Sequence, residues 1–278
     1  MVFYCIIKPY QLILHWLEEG VIMYDQFASD YDRFVNWDNR LGFEIPLIEK
    51  ILCEVNNPLG EPLTILDAAC GTGMHALALT RAGYQVAGAD FSTEMIKKAE
   101  LNALSVNLEL PLKAVGFGSL ASAFGESRFD AVLCLGNSLP HLIDENELLA
   151  ALNDFFACLK QGGLLLIQNR NFDAVMHKKD RWLEPQAFQE GDAQWVFERF
   201  YDFNSDGTIG FSIVNLHRNK LSKWKSTVVS TLLKPQLRDD LYQKVARAGF
   251  SHTRTFGTLG GDPFDPLSSG NLILVARK

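Results

Sequence analysis

The chain has no excess of positive charge: 26 Lys and Arg face 33 Asp and Glu, a formal net charge of -7. Binding through phosphates needs a broad basic face, so nucleic acid is not an expected partner. The nearest thing to a basic patch, Lys220, Lys223 and Lys225, reads as a solvated turn or strand. Cysteine is scarce as well. Cys5, Cys53, Cys70, Cys134 and Cys158 contain no C-x-x-C pair, which excludes a disulfide framework and reads as small core residues in a reducing, cytoplasmic setting. No His or Cys cluster has metal-ligand spacing, so no metal is expected. A long apolar run is also lacking. Residues 1–22 are apolar and aromatic but are broken by Lys8, Pro9, His15, Glu18 and Glu19, too interrupted for a membrane span. They lack the basic start and cleavage site of a signal peptide. They read as an N-terminal extension, with Met23 as the expected start of the functional protein.

What is present is enough apolar residue, 47%, to build one large core. Apolar residues recur at helical spacing from Leu41 to Val55, and Asn56 to Gly60 stops that helix. Strand-like and helix-like runs then alternate: LTILDAA, a helix near 75–82, YQVAGAD, a helix near 93–104, and a strand near 108–115. FDAVLCLG, a helix near 145–159, the turn 160–163 and LLLIQN follow. Such alternation predicts a parallel, doubly wound sheet. After Arg170 three runs of period two, WVFERFYDFN, TIGFSIVNLHRN and WKSTVVSTLLK, predict antiparallel strands. A helix at 236–248 and the runs SHTRTFG and NLILVARK close the chain. The expected architecture is a Rossmann-like α/β mixed sheet of about seven strands with helices on both faces. Residues 23–175 and 233–278 form the expected core, and 176–232 an inserted antiparallel subdomain.

Leu66-Asp67-Ala68-Ala69-Cys70-Gly71-Thr72-Gly73 ends a buried strand and opens a helix, where glycines let a ligand approach the backbone. By itself this is either a ligand loop or a tight turn. The second strand ends in Gly88-Ala89-Asp90-Phe91-Ser92, and an acid there can accept bonds from ribose hydroxyls, or can cap the next helix. Together LDAACGTG and GADFS resemble the first two motifs of class I S-adenosylmethionine-dependent methyltransferases. The third glycine usual in nicotinamide enzymes is missing. CLGNSLPHL (134–142) and GGLLLIQNRNFD (162–173) further resemble signatures of the glycine and sarcosine N-methyltransferases.

The resemblance implies S-adenosylmethionine as cofactor, with S-adenosylhomocysteine as product, and a small-molecule acceptor such as glycine or sarcosine. Gly71 and Gly73 would lie against the methionine part of the cofactor and Asp90 would hold the ribose. Asp67, Ala69, Phe91, Met95, Gly118, Ser119, Leu135 and Gly136 complete the core of that set. Arg40 is the candidate for the cofactor carboxylate, with Tyr24 beside it. Arg170 would bind the acceptor carboxylate, Asn137 would line the acceptor site, and His141 and Tyr31 would contact the reacting groups. A guanidinium at the end of a central strand suits that role independently, its fork matching a carboxylate, and its alternative is an ion pair with Asp173 or Glu198. The chain departs from the family where an acid usually follows the third strand: Phe117-Gly118-Ser119-Leu120 stands there, leaving adenine to backbone groups and Phe117. Transfer to an oxygen acceptor and cofactor binding without catalysis are the competing functions. Oligomeric state is left open.

Overall fold

A computed structural model describes residues 23–58, 60–220 and 222–278. The expected extension and Cys5 lie outside the described residues. Residues 23–34 form a helix, α1, and α2 (Trp37–Leu52) follows, capped by Asn36, whose side chain accepts from the Asn39 N–H at 3.2 Å. The core then runs β1 (Thr64–Asp67), α3 (Met74–Arg81), β2 (Gln85–Asp90), α4 (Thr93–Ser105), β3 (Leu112–Ala114), α5 (Leu120–Phe124), β4 (Phe129–Cys134), α6 (Glu145–Cys158), β5 (Leu159–Arg170) and α7 (Phe172–Lys178). After β6 (Gln186–Glu190), β7 (Ala193–Phe203), β8 (Ile209–Asn219) and β9 (Lys225–Leu233) come α8 (Arg238–Arg247), β10 (Ser251–Phe256) and β11 (Asn271–Arg277).

Seven strands form one mixed sheet in the order β10-β11-β5-β4-β1-β2-β3, the doubly wound architecture expected from the alternation. β5, β4, β1, β2 and β3 are parallel, while β11 is antiparallel to β5 and to β10. Consecutive strand residues face opposite ways, so each apolar run feeds two cores. Leu66, Val132, Leu165 and Ile167 pack with Phe155 of α6 and Val245 of α8. Ile65, Leu133, Leu164 and Leu166 pack on the other face with Ile48 and Leu52 of α2 and Leu79 of α3. Strand order reverses between β1 and β4, which opens a crevice beyond their carboxyl ends.

Some boundaries differ from the sequence expectation. β3 begins only at Leu112, because Pro111 has no N–H to donate to a ladder. The expected turn at 160–163 is a bulge inside β5: Phe129 pairs with Leu159, and Ala131 with Leu164. Lys160 fills the space opposite Asp130 with an ion pair of 2.9 Å. Cys70, Cys134 and Cys158 are buried, whereas Cys53 is exposed at the end of α2.

The second sheet, β6-β7-β8-β9, is antiparallel throughout. All five residues of β6 are exposed, which leaves no apolar period to reveal it in sequence. Its inner face packs on α1: Met23 and Phe27 meet Trp195, Phe197, Ile213 and Val229. Thus α1 lies between the second sheet and the crevice of the first. Among the described residues no helix is long and apolar enough to cross a membrane, and no group of His, Cys, Asp and Glu is placed to hold a metal ion.

Candidate active site

A cavity of about 340 Å³ occupies the crevice, walled by the loops after β1, β2 and β4 and covered by α1 and α2. Its floor is bare backbone at two points. Gly71 has φ +54° and a Cβ added there would meet nothing within 4 Å, while Gly136, at φ +77°, has only Arg40 Nη2 at 4.0 Å. An L side chain would be strained at both, so the sequence reserves them for glycine, and the space above stays open.

Asp90, at the end of β2, turns both oxygens toward backbone donors: Gly71 N–H at 2.8 Å and Ser92 N–H at 2.9 Å. Burial raises its pKa, and these N–H groups work against the rise. Behind it Asp67 is 1% exposed and its Oδ1 has no partner among the described residues. Burial, with the nearby Asp90 charge, pushes the Asp67 carboxyl up to about 7.

The cover is tied down by acids on α1. Asp32 accepts from Thr72 Oγ1 at 2.6 Å, Trp37 Nε1 at 3.0 Å and Asn102 Nδ2 at 3.0 Å, and Asp25 accepts from Ser92 Oγ at 2.5 Å. Tyr24 Oη and His141 Nε2 share a hydrogen bond of 2.9 Å, and His141 Nδ1 is buried with no partner among the described residues. Burial lowers the His141 pKa to about 4 and raises that of Tyr24, so both are neutral at pH 7. Beside them, Arg40 donates to Glu44 at 3.1 Å and to Gln168 Oε1 at 3.3 Å. Glu44 also accepts from His75 Nε2 at 2.6 Å and Gln168 Nε2 at 3.0 Å, and Gln168 Oε1 accepts the Gly136 N–H at 3.1 Å. Burial works to raise the Glu44 pKa, but the His75 bond and the Arg40 charge outweigh it and leave the carboxyl below its usual range.

Of the residues singled out in the sequence, Tyr24, Tyr31, Arg40, Ala69, Gly71, Asp90, Phe91, Met95, Leu135, Gly136 and His141 line the cavity. Asp67, Gly73, Gly118, Ser119, Asn137 and Arg170 do not. Gly73, at φ +81°, starts α3, where an added Cβ would sit 3.0 Å from Ala99 Cβ. Gly118 and Ser119 lead into α5, whose Leu120 and Ala121 N–H groups donate to Asp154 at 2.7 and 2.8 Å, so Gly116 and Phe117 line the wall instead. Asn137, at φ +71°, accepts the Arg170 N–H at 2.9 Å and joins the ends of β4 and β5. Arg170 forms no ion pair with Asp173 or Glu198 within 4.0 Å; Asp173 accepts the Arg238 N–H at 3.0 Å. Sequence reasoning missed His75 in the lining and Glu44 and Gln168 behind it. The i,i+4 spacing of Arg40 and Glu44 was the available signal.

A family model described as a methyltransferase domain matches residues 65–163. Glycine/sarcosine N-methyltransferase from Parasynechococcus marenigrum is 32% identical over 229 residues, covering 77% of this chain and 76% of that one. The chain belongs to the S-adenosylmethionine-dependent methyltransferases. The glycine/sarcosine N-methyltransferase of Aphanothece halophytica is 36% identical over 150 residues, and there the match spans about half of each chain, 54%. In fold this methyltransferase is similar to an S-adenosylmethionine-dependent methyltransferase from Clostridium acetobutylicum, with a TM-score of 0.73 at 18% identity, covering 91% and 98% of the two chains.

The methyltransferase site fits the family's cofactor by its own geometry. Gly71 and Gly136 leave an open cradle, Asp90 lies beside it as an acceptor for hydroxyls, and Arg40 is a cation within reach of Gly136. Phe91, 55% exposed, lines the cavity over Gly116, where an added Cβ would meet Phe91 Cδ2 at 2.7 Å, and gives the wall an aromatic surface that suits a flat base.

Proposed function

We propose that the chain transfers the methyl group of S-adenosylmethionine to the amine of a small amino acid, with glycine and sarcosine as the first candidates. The observation that carries this reading is Arg170 at the carboxyl end of β5: its backbone N–H donates to Asn137 Oδ1, and its guanidinium has no hydrogen-bond or ion-pair partner among the described residues. The two curated relatives described above carry glycine/sarcosine N-methyltransferase in their names, which supports the same acceptor class.

When bound, the cofactor supplies a methyl group on a sulfonium, ready for in-line displacement. The protein then has to hold a neutral amine in line and keep water out. Asp90 and the Gly71 loop hold the cofactor's ribose side, Arg40 its carboxylate, and Arg170 the acceptor carboxylate. A ring whose conjugate acid lies near pH 4 is a poor resting place for an amine's proton. His141 therefore acts as an acceptor of a hydrogen bond: with Nε2–H donating to Tyr24, the Nδ1 lone pair is free for an amine N–H. The proton leaves the ammonium before binding, so kcat/KM rises with pH until the free amine is fully deprotonated. The test is transfer of a labelled methyl group to glycine, sarcosine and an amine of similar size lacking the carboxylate. Turnover confined to the two amino acids supports the reading; equal turnover of the third amine, or none on any, overturns it.

A further inference from the structure

The loop after β3 reads Gly116-Phe117-Gly118-Ser119 and holds no acid, but an acid of another element, Glu147 of α6, lines the cavity. Glu147 and Asp90 are the only acids in the described lining. Asp90 spends its oxygens on the Gly71 and Ser92 N–H groups at 2.8 and 2.9 Å, whereas Glu147 has no hydrogen-bond or ion-pair partner among the described residues. The cations of α8 go to Glu145 instead, Arg247 at 3.4 Å and Lys244 at 3.9 Å. Helical geometry fixes where Glu147 faces. Asp154 lies seven residues on, about two turns, and so on the same face of α6. It accepts the Leu120 and Ala121 N–H groups at 2.7 and 2.8 Å, which turns that face toward the start of α5 and the loop after β3. Ala150, between the two acids, also lines the cavity. Phe117 of the loop packs edge-on against Phe155 of α6, with ring centroids 5.3 Å apart. Glu147 therefore borders the end of the cavity formed by Phe91, Gly116, Phe117, Leu142 and Ile143, whose side chains offer no hydrogen-bonding atom.

With Arg40 beside Gly136 and Asp90 at the ribose, the base of the cofactor extends past Phe91 into this end. Adenine carries an exocyclic amine, a hydrogen-bond donor that its apolar surroundings here would leave unanswered. We propose that Glu147 accepts a hydrogen bond from that amine and so supplies, from α6, the acid that is missing after β3. This role depends on Asp90 holding the ribose and holds whichever amine is methylated. The test is calorimetric titration with S-adenosylhomocysteine and with its analogue carrying hydrogen in place of the 6-amino group. Wild type is expected to bind S-adenosylhomocysteine about tenfold tighter than the analogue, as one hydrogen bond to a charged acceptor implies. Glu147→Ala brings that ratio to about one, and Glu147→Gln, which keeps an acceptor without the charge, leaves an intermediate ratio, with thermal unfolding confirming that both variants are folded. Equal binding of the two ligands by wild type overturns the proposal. So does a ratio unchanged in Glu147→Ala, including the case in which both ligands weaken alike, the mark of a purely structural role. Asp90→Ala is measured alongside and is expected to weaken both ligands alike. If it does so while the Glu147 ratio fails, the adenine contact alone is overturned; unchanged affinity in Asp90→Ala would overturn the ribose placement and the adenine contact with it.

Discussion

Asp67 and His141 are buried in the same site, and folding moves their pKa values in opposite directions. The Asp67 carboxyl goes from 3.8 to about 7, so the folded chain keeps a proton that the unfolded chain releases, and this contribution to stability fades as pH rises through that window. The His141 value falls from 6.5 to about 4, so its contribution is present above that range and fades as pH falls through it. Each effect is on the order of 3 to 4 kcal/mol. Relative to wild type, Asp67→Asn is therefore expected to gain stability as pH rises from 4 to 7, and His141→Gln to gain it as pH falls from 6.5 to 4. Urea unfolding across that range checks both; variant curves that run parallel to wild type would contradict these environments. Neither property was legible in the sequence. Asp67 reads as one more letter of a loop motif, and the loss of water that shifts it comes with its place in the sheet between β2 and β4.

At the scale of elements, the cover of the site depends on a few side chains that fix helix ends. Ser92 caps α4 by accepting the Met95 N–H at 3.1 Å and donates to Asp25 of α1, so Ser92→Ala removes a cap and a tether together. A loss of about 1 kcal/mol in unfolding free energy is expected, as for other caps, with a weakened grip on α1. Glu44 does comparable work for α2. Buried at 6% exposure, it holds Arg40, His75 and Gln168, and Gln168 holds the Gly136 N–H. Glu44→Gln keeps the shape but loses the charge that orients Arg40. S-adenosylhomocysteine affinity, read by calorimetry, is expected to fall roughly tenfold; unchanged affinity would show that Arg40 needs no such support. The glycine loop, Asp90 and the strands around them were legible because apolar runs and turn residues are local signals. The Glu44 network was not, because it joins α2, α3 and β5 through contacts that sequence spacing does not encode.

On the scale of the molecule, α1 connects the two sheets. It packs on the second sheet through Phe27 and Phe197, whose rings lie 5.7 Å apart, and Asn215 of β8 donates to its Asp30 at 2.7 Å. Its other side meets the glycine loop through Asp32. Period-two alternation announced β7, β8 and β9 but not which face turns inward. The aromatics of β7 show the consequence. Trp195 and Phe197 pack on α1, and Tyr201 packs with Phe172, while Thr231 and Leu232 of β9 reach the cavity. The second sheet thus reaches the cavity through β9, and the main sheet through the loops after β1, β2 and β4. The most direct test of the proposed acceptor is kcat/KM for methyl transfer to glycine and to a carboxylate-free amine, in wild type and in Arg170→Ala, with cofactor affinity measured alongside. Loss of a bidentate carboxylate contact is expected to lower the glycine value by about 10²-fold or more, with the cofactor still bound and the other amine unaffected. An equal fall for both amines, or no fall for glycine, would contradict it.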